Sequence, residues 1–112
     1  MNRKERIRQY KETPKLMGVF CIRNLASRRA FVGSSVNLPA MLNRQRFQLE
    51  HGSHPNRTLQ RDWDELGPES FNFETLDTLK PPNEPGRDPT EDLRTLEAMW
   101  RDTLSKTDTL YH

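Results

Sequence analysis

The sequence predicts an α+β domain in which a small three-stranded sheet is flanked by helices and preceded by an extra basic helix. Segments 17–23 and 30–33 are apolar and β-prone, and a short polar connection separates them, as in a hairpin. Segment 71–76 alternates between apolar and polar residues like a half-buried strand. The order β-β-α-α-β-α indicates helices packed on one sheet, and 112 residues give room for a single modest core.

Residues 1–15 are predicted to form the basic helical extension, and residues 16–112 the domain itself. Pro14 ends the extension because the residue before a proline is disfavoured in the helical region. We expect neither a signal peptide nor a membrane span, since no apolar run approaches the roughly 20 residues that cross a bilayer. The lone Cys21 excludes an internal disulfide framework and favours a cytoplasmic location.

The first strand carries apolar side chains on both of its faces. Val19 and Cys21 point to one face, and Phe20 and Ile22 point to the other. The polar connection that follows leads into the second strand of the hairpin.

Two helices are predicted between the second and third strands. Asn37 caps the first helix, Pro39 lies in its first turn and Gly52 ends it. The second helix begins at Pro55 and ends before Gly67. Its apolar residues, which recur at helical spacing, are Leu59, Trp63 and Leu66.

The last helix follows a proline-rich loop and is predicted to run from a capping box at Asp88 and Glu91 to about Ser105. Its core stripe contains Leu93, Leu96, Trp100 and Leu104, with Glu97 in the same stripe.

Glu97 is the carboxylate that needs an explanation, because a buried carboxylate is costly unless it is paired or bound to a cation. One interpretation is that Glu97 lies at the edge of the stripe and pairs with an arginine, such as Arg44 or Arg46. The other is a metal site at the mouth of a cleft. Mg²⁺ suits such a site because it keeps most of its waters and takes one or two protein oxygens.

The net charge of +2 hides an asymmetry between the two halves of the chain. Residues 1–61 hold thirteen Lys and Arg against three acids, whereas residues 62–112 hold five against thirteen. The halves could form an ordinary solvated surface. Alternatively, the first half faces a polyanion, since basic side chains near phosphates release counterions. Composition leaves both interpretations open.

Several motifs, taken in order, carry a family resemblance. Residues 18–20 read Gly-Val-Phe, and residues 31–33 read Phe-Val-Gly. Residues 54–74 and the Leu-Glu pair at 96–97, followed by an aromatic residue, continue the pattern. Over about residues 16–112 the chain resembles the GIY-YIG endonuclease family, in a divergent branch. The resemblance implies a nuclease fold that acts on nucleic acid, with DNA as the expected form.

Most catalytic positions implied by this resemblance are substituted. The family usually has a tyrosine in each triplet, where this chain has Phe20 and Phe31. Met41 stands where a helix usually supplies an arginine to the phosphate, and Gln45 where some members have a histidine. Only Glu97 is retained, as the implied ligand of Mg²⁺ or Mn²⁺.

Other residues are candidates for the missing roles. Arg44 and Arg46 could reach a phosphate and His112 could act as a base, unless all three are simply solvated. The basic residues expected to contact nucleic acid are Arg23, Arg28, Arg29, Arg44, Arg46 and Arg57.

Three functions are therefore open at the level of sequence. The first is a metal-dependent endonuclease that cleaves phosphodiesters. The second is a catalytically weakened or inactive nucleic-acid-binding module, because phenylalanine lacks the hydroxyl needed for proton transfer, a contribution typically worth about 10²–10⁴ in rate. The third is a regulatory or protein-interaction domain.

Overall fold

The computed structural model describes residues 16–80 and 88–112, and the predicted helix within residues 1–15 lies outside them. In chain order the strands and helices are β1 (Met17–Asn24), β2 (Arg29–Ser35), α1 (Leu38–Glu50), α2 (Arg57–Leu66), β3 (Phe71–Leu79), α3 (Thr90–Ser105) and β4 (Thr109–Leu110). A short 3-10 turn, Pro68–Ser70, joins α2 to β3. None of the helices in these two ranges is both long enough and apolar enough to cross a bilayer.

The four strands form one mixed sheet in the order β3-β1-β2-β4. β1 is antiparallel to both β2 and β3, whereas β4 runs parallel to β2. The predicted α+β class is confirmed, but the sheet has one strand more than the three predicted. β4 was missed because its two residues, Thr109 and Leu110, are too few to form an alternating pattern.

β1 separates two hydrophobic clusters because its side chains alternate between the faces of the sheet. Phe20 and Ile22 pack with residues of α1 and α2 on one face, which we call the α1 face. Val19 and Cys21 pack with Leu104 of α3 on the other, which we call the α3 face. The predicted division of these four β1 residues is confirmed.

The two tryptophans belong to different clusters. Trp63 of α2 is buried on the α1 face, where its ring packs against Phe71 and Phe73 of β3. Trp100 of α3 is half-buried, and its Nε1 donates a hydrogen bond to Asp77 Oδ2 at 3.1 Å. Trp63 is thus a core residue, in line with its place in the apolar pattern of the second helix. Trp100, in the predicted core stripe of the last helix, is only half-buried, and its indole N–H bonds to a carboxylate on β3.

Side-chain caps set the starts of α1 and α2. Asn37 accepts a hydrogen bond from the backbone N–H three residues later, as predicted. α2 begins at Arg57 instead of at the predicted Pro55, because Asn56 is its N-cap and accepts from the Leu59 N–H at 3.0 Å. The asparagine side chain satisfies a backbone donor of the first turn, which proline cannot do.

α3 begins and ends close to its predicted bounds. Asp88 lies just before the first turn, and its Oδ1 accepts from the Thr90 N–H at 2.9 Å. Glu91 lies in the first turn, where a carboxylate interacts favourably with the helix dipole. The helix ends at Ser105, as expected.

A buried polar network attaches the C-terminal residues to the end of β1. Asn24 Nδ2 donates to Tyr111 Oη at 3.0 Å, and this hydroxyl donates to Asp62 Oδ2 at 2.7 Å. Arg29 lies 3.7 Å from the same carboxylate and over the Tyr111 ring. Burial raises the pKa of Tyr111 to about 12. The hydroxyl therefore stays protonated across the neutral range and can keep donating to Asp62.

We expect Tyr111→Phe to lower the free energy of unfolding by about 1–3 kcal/mol, since buried Asn24 Nδ2 loses its acceptor. In the unfolded chain a tyrosine titrates near pH 10. The unfolded state therefore releases the proton first, and the contribution of Tyr111 to stability falls as pH rises from about 10 to 12. Urea unfolding at pH 7 and across this range measures both effects.

Thr109→Ala, at an exposed position of the same C-terminal segment, is the control for this prediction. An unchanged unfolding free energy in Tyr111→Phe, together with an unchanged alkaline slope, would contradict it.

Candidate active site

The three substituted positions that the family resemblance implies to be catalytic all belong to the cluster on the α1 face. Phe20 of β1 and Phe31 of β2 have ring centroids 6.3 Å apart. Met41 of α1 packs, partly buried, against the same cluster. Phe20 is 2% exposed, so its ring is part of the core. Phe20 and Phe31 place plain rings, and Met41 a thioether, where the family resemblance implies tyrosine hydroxyls and a guanidinium.

The glycines of the two triplet motifs allow close approach between neighbouring strands and to the Phe20 ring. A Cβ atom at Gly33 would lie 2.6 Å from Cζ of Phe20, and one at Gly18 would lie 2.0 Å from the carbonyl oxygen of Asp77. Both distances are far shorter than a van der Waals contact. Glycine is therefore required at these positions by close approach across the sheet.

Hydrogen bonds join three side chains next to the aromatic cluster, those of His54, Gln45 and Met41. His54 Nε2 donates to Gln45 Oε1, and Gln45 Nε2 donates to the Met41 sulfur at 3.4 Å. His54 Nδ1 accepts from the Asn56 N–H at 3.0 Å, which places the ring proton on Nε2. The imidazole also meets Phe31 edge-on, with ring centroids 5.3 Å apart. Both ring nitrogens are thus satisfied in the neutral imidazole.

Glu97 lies on α3 and is held by two partners. Its Oε1 accepts from Ser34 Oγ at 2.9 Å, and its Oε2 lies 3.1 Å from Arg101 Nε. The Arg101 guanidinium also donates to the Val32 carbonyl at 3.0 Å. The expectation that an arginine pairs with Glu97 is confirmed, but the expected partners on α1 are wrong. The Glu97–Arg101 spacing of i,i+4 on one helix is the sequence signal that would have identified the pair.

Glu97 and the substituted positions lie on opposite faces of the sheet. In the register of β1 and β2, Phe20 pairs with Gly33 on the α1 face, and Val19 pairs with Ser34 on the α3 face. The Gly33–Ser34 peptide therefore lies between the aromatic cluster and the Glu97 carboxylate.

The arginines expected to bind nucleic acid fall into two groups. Arg23 pairs with Asp108 at 2.8 Å and Glu74 at 3.4 Å, and Arg29 pairs with Asp62. The remaining four are exposed and have no carboxylate within ion-pair distance among residues 16–80 and 88–112: Arg28, Arg44, Arg46 and Arg57.

Two further candidates lie near the aromatic cluster or at the chain end. The Arg46 guanidinium stacks over the Phe73 ring, with its Cζ atom 4.4 Å from the centroid. His112 is exposed, and its carbonyl oxygen accepts from Asn56 Nδ2 at 3.2 Å. Neither contact tests the catalytic roles suggested for these residues, which stay predictions.

His54 should make stability depend on pH below neutrality. Burial lowers the pKa of His54 below its ordinary value. On acidification the unfolded chain therefore binds the proton first, so the contribution of His54 is complete above about pH 6.5 and is lost as pH falls towards its folded pKa. We expect His54→Gln to flatten the stability profile below about pH 6.5, measured by urea unfolding. His51→Gln, at an exposed histidine, should leave the profile unchanged, and equal slopes in all three proteins would refute the assignment.

Two solved structures share this fold. The catalytic domain of the homing endonuclease I-TevI is 24% identical in sequence, with a TM-score of 0.67 over 85% of this chain and 95% of that chain. A glutamate-to-alanine mutant of the catalytic domain of the intron endonuclease I-TevI is 23% identical, with a TM-score of 0.68 over 87% and 92% of the two chains. No protein-family model and no curated protein sequence matches this chain. The chain therefore has the fold of a GIY-YIG endonuclease catalytic domain, which confirms the resemblance identified in its sequence at the level of the fold.

Proposed function

We propose that this chain is a nucleic-acid-binding domain on a nuclease fold, with strongly reduced phosphodiester cleavage. The observation that carries the proposal is the apolar cluster at the catalytic positions Phe20, Phe31 and Met41. A missing proton-transfer group typically costs about 10²–10⁴ in rate. A missing contact to developing charge costs on the order of 10²–10³. Binding to phosphates requires neither group, so it can persist without them.

The metal implied by the resemblance, Mg²⁺ or Mn²⁺, would be held by Glu97. The residues around Glu97 fit such an ion poorly. One carboxylate oxygen accepts from Ser34 and the other faces the Arg101 guanidinium at 3.1 Å, so a dication would have to displace a cation. The described residues contain no cluster of three His, Cys, Asp or Glu side chains that could hold a metal. We therefore assign no cleavage step to a metal at this position.

Metal-dependent endonuclease cleavage is the second candidate function, and one observation favours it. The Glu97 side chain is 25% exposed, so solvent reaches the carboxylate. Mg²⁺ needs only one or two protein oxygens because it keeps most of its waters. This candidate requires Arg101 to leave Glu97 when the ion binds.

Nucleic acid is the proposed ligand for two reasons. Both similar structures are endonuclease catalytic domains. In addition, α1 and α2 carry exposed arginines that lack a carboxylate partner in the described parts of the chain, at positions 44, 46, 57 and 61. A group of free guanidinium ions attracts phosphate and gives affinity that falls with salt. DNA is the expected form from the family resemblance.

Charge reversal should identify the binding surface. We expect Arg44→Glu and Arg46→Glu to weaken binding to DNA or RNA, because each removes a cation from the proposed binding surface. The slope of log affinity against log salt should fall by about 0.7–0.9 for each phosphate that the variant no longer neutralises. Fluorescence anisotropy between about 50 and 200 mM salt measures both quantities.

Arg94→Glu, on the exposed surface of α3, is the matched control. Equal weakening in Arg94→Glu would place the binding surface elsewhere, and absence of binding by the wild-type chain at about 50 mM salt would refute the proposed function.

A nuclease assay separates the two candidate functions. We expect the wild-type chain and Glu97→Ala to cut labelled single-stranded and duplex DNA and RNA at the same background rate, with either Mg²⁺ or Mn²⁺. The reason is that the aromatic cluster supplies no acid, base or charged group to the reaction. Cleavage by the wild type that Glu97→Ala abolishes would instead establish the metal-dependent endonuclease.

A further inference from the structure

The outer surface of α1 carries an aromatic pair that the core does not use. Phe47 is 59% exposed, although it is a large apolar residue in the last turn of α1. At 100° per residue, its side chain points about 180° away from Leu38 and Leu49, the buried residues of α1. Phe47 therefore contributes little to the hydrophobic core and presents its ring to solvent.

The ring of Phe47 is held in place by His51, one helical turn later. The two rings stack with centroids 4.0 Å apart and planes inclined by 23°. His51 Nδ1 donates to the Phe47 carbonyl oxygen at 2.8 Å, and the backbone N–H of His51 donates to the same oxygen at 3.0 Å. These bonds fix the orientation of the imidazole. His51 thus covers one side of the Phe47 ring. Because the ring is already held in one orientation, a ligand that covers another part of it costs little further side-chain entropy.

The charges around this pair complement a nucleotide. Arg44 precedes Phe47 by three residues, is exposed and has no carboxylate partner in ranges 16–80 and 88–112. Glu50, three residues after Phe47, is the carboxylate of this face and would repel a phosphate from that side. A planar aromatic surface with a cation on one flank and an anion on the other would accept a base and direct its phosphate towards Arg44.

We infer that Phe47, backed by His51 and flanked by Arg44, is a stacking site for an unpaired base of a nucleic acid strand. The inference rests on the proposed function and specifies its substrate. Every base has a face that can stack on an aromatic ring, so such a site tolerates any sequence. In a duplex both faces of each internal base are already stacked, so the site selects single strands or locally unpaired nucleotides.

The test compares the affinity of four proteins for one oligonucleotide as a single strand and as a closed duplex hairpin, at fixed salt. Phe47→Ala should weaken single-strand binding by about tenfold, within the range that one base–aromatic stack contributes. Binding to the duplex should change much less. Phe47→Tyr keeps the aromatic face and should bind like the wild type.

Met99→Ala is the matched control, because Met99 is 60% exposed on α3. It should bind both oligonucleotides like the wild type. Thermal unfolding of all four proteins checks that the exposed substitutions leave the fold intact. For Phe47→Trp, single-stranded nucleic acid should quench the fluorescence of the new indole, whereas duplex should not.

Three results would overturn the inference. Equal losses on single strand and duplex in Phe47→Ala would mean that Phe47 does not stack on a base. Unchanged single-strand affinity in Phe47→Ala would mean that this face binds no ligand. Concentration-dependent self-association of the free wild type that Phe47→Ala abolishes would assign the face to a second copy of the chain. Failure of the wild type to bind any nucleic acid is a different result, because it removes the proposed function itself.

Discussion

The packing on both faces of the sheet depends on β1, whose central residues expose neither face to solvent. From Val19 to Ile22 every side chain is at most 2% exposed, and the backbone pairs with a neighbouring strand on each side. A hydroxyl on the ring at position 20 would need a partner, because burying it without one costs about 1–3 kcal/mol. Phe20 meets this constraint by placing a plain ring over Gly33. The close packing of the central strand is therefore compatible with a phenylalanine at position 20 without a buried partner for a hydroxyl.

The parts of the fold that could be predicted from the sequence are those that local patterns determine. The alternation along β1 and the cap at Asn37 involve residues close together in the chain, so periodicity and capping rules identify them. β4 could not be predicted, because its two residues become a strand only by pairing with Arg29 and Ala30, some eighty residues earlier. The same limit applies to the site: helical spacing brings Glu97 and Arg101 together, but only the fold adds the hydroxyl of Ser34.

The charge asymmetry of the sequence is partly neutralised by folding. Arg23 and Arg29 belong to the basic half, and their partners, Asp108 and Asp62, belong to the acidic half. These ion pairs join residues far apart in sequence, so composition could not reveal which arginines are committed to structure. Within ranges 16–80 and 88–112, four exposed arginines of α1 and α2 have no carboxylate partner, at positions 44, 46, 57 and 61, which is fewer than the thirteen basic residues of the first half.

α1 carries, on its two sides, the features on which the proposed function depends. Its inner side carries Met41 and Gln45, which complete the closed network around His54. Its outer side carries Arg44 and Phe47, about a third and about half of a turn away from the buried residues of α1. Because one rigid helix carries both sides, the inner side can lose its reactive groups while the outer geometry stays the same. Under the proposed function, this nuclease fold keeps a surface for binding nucleic acid although the positions implied to be catalytic belong to the core.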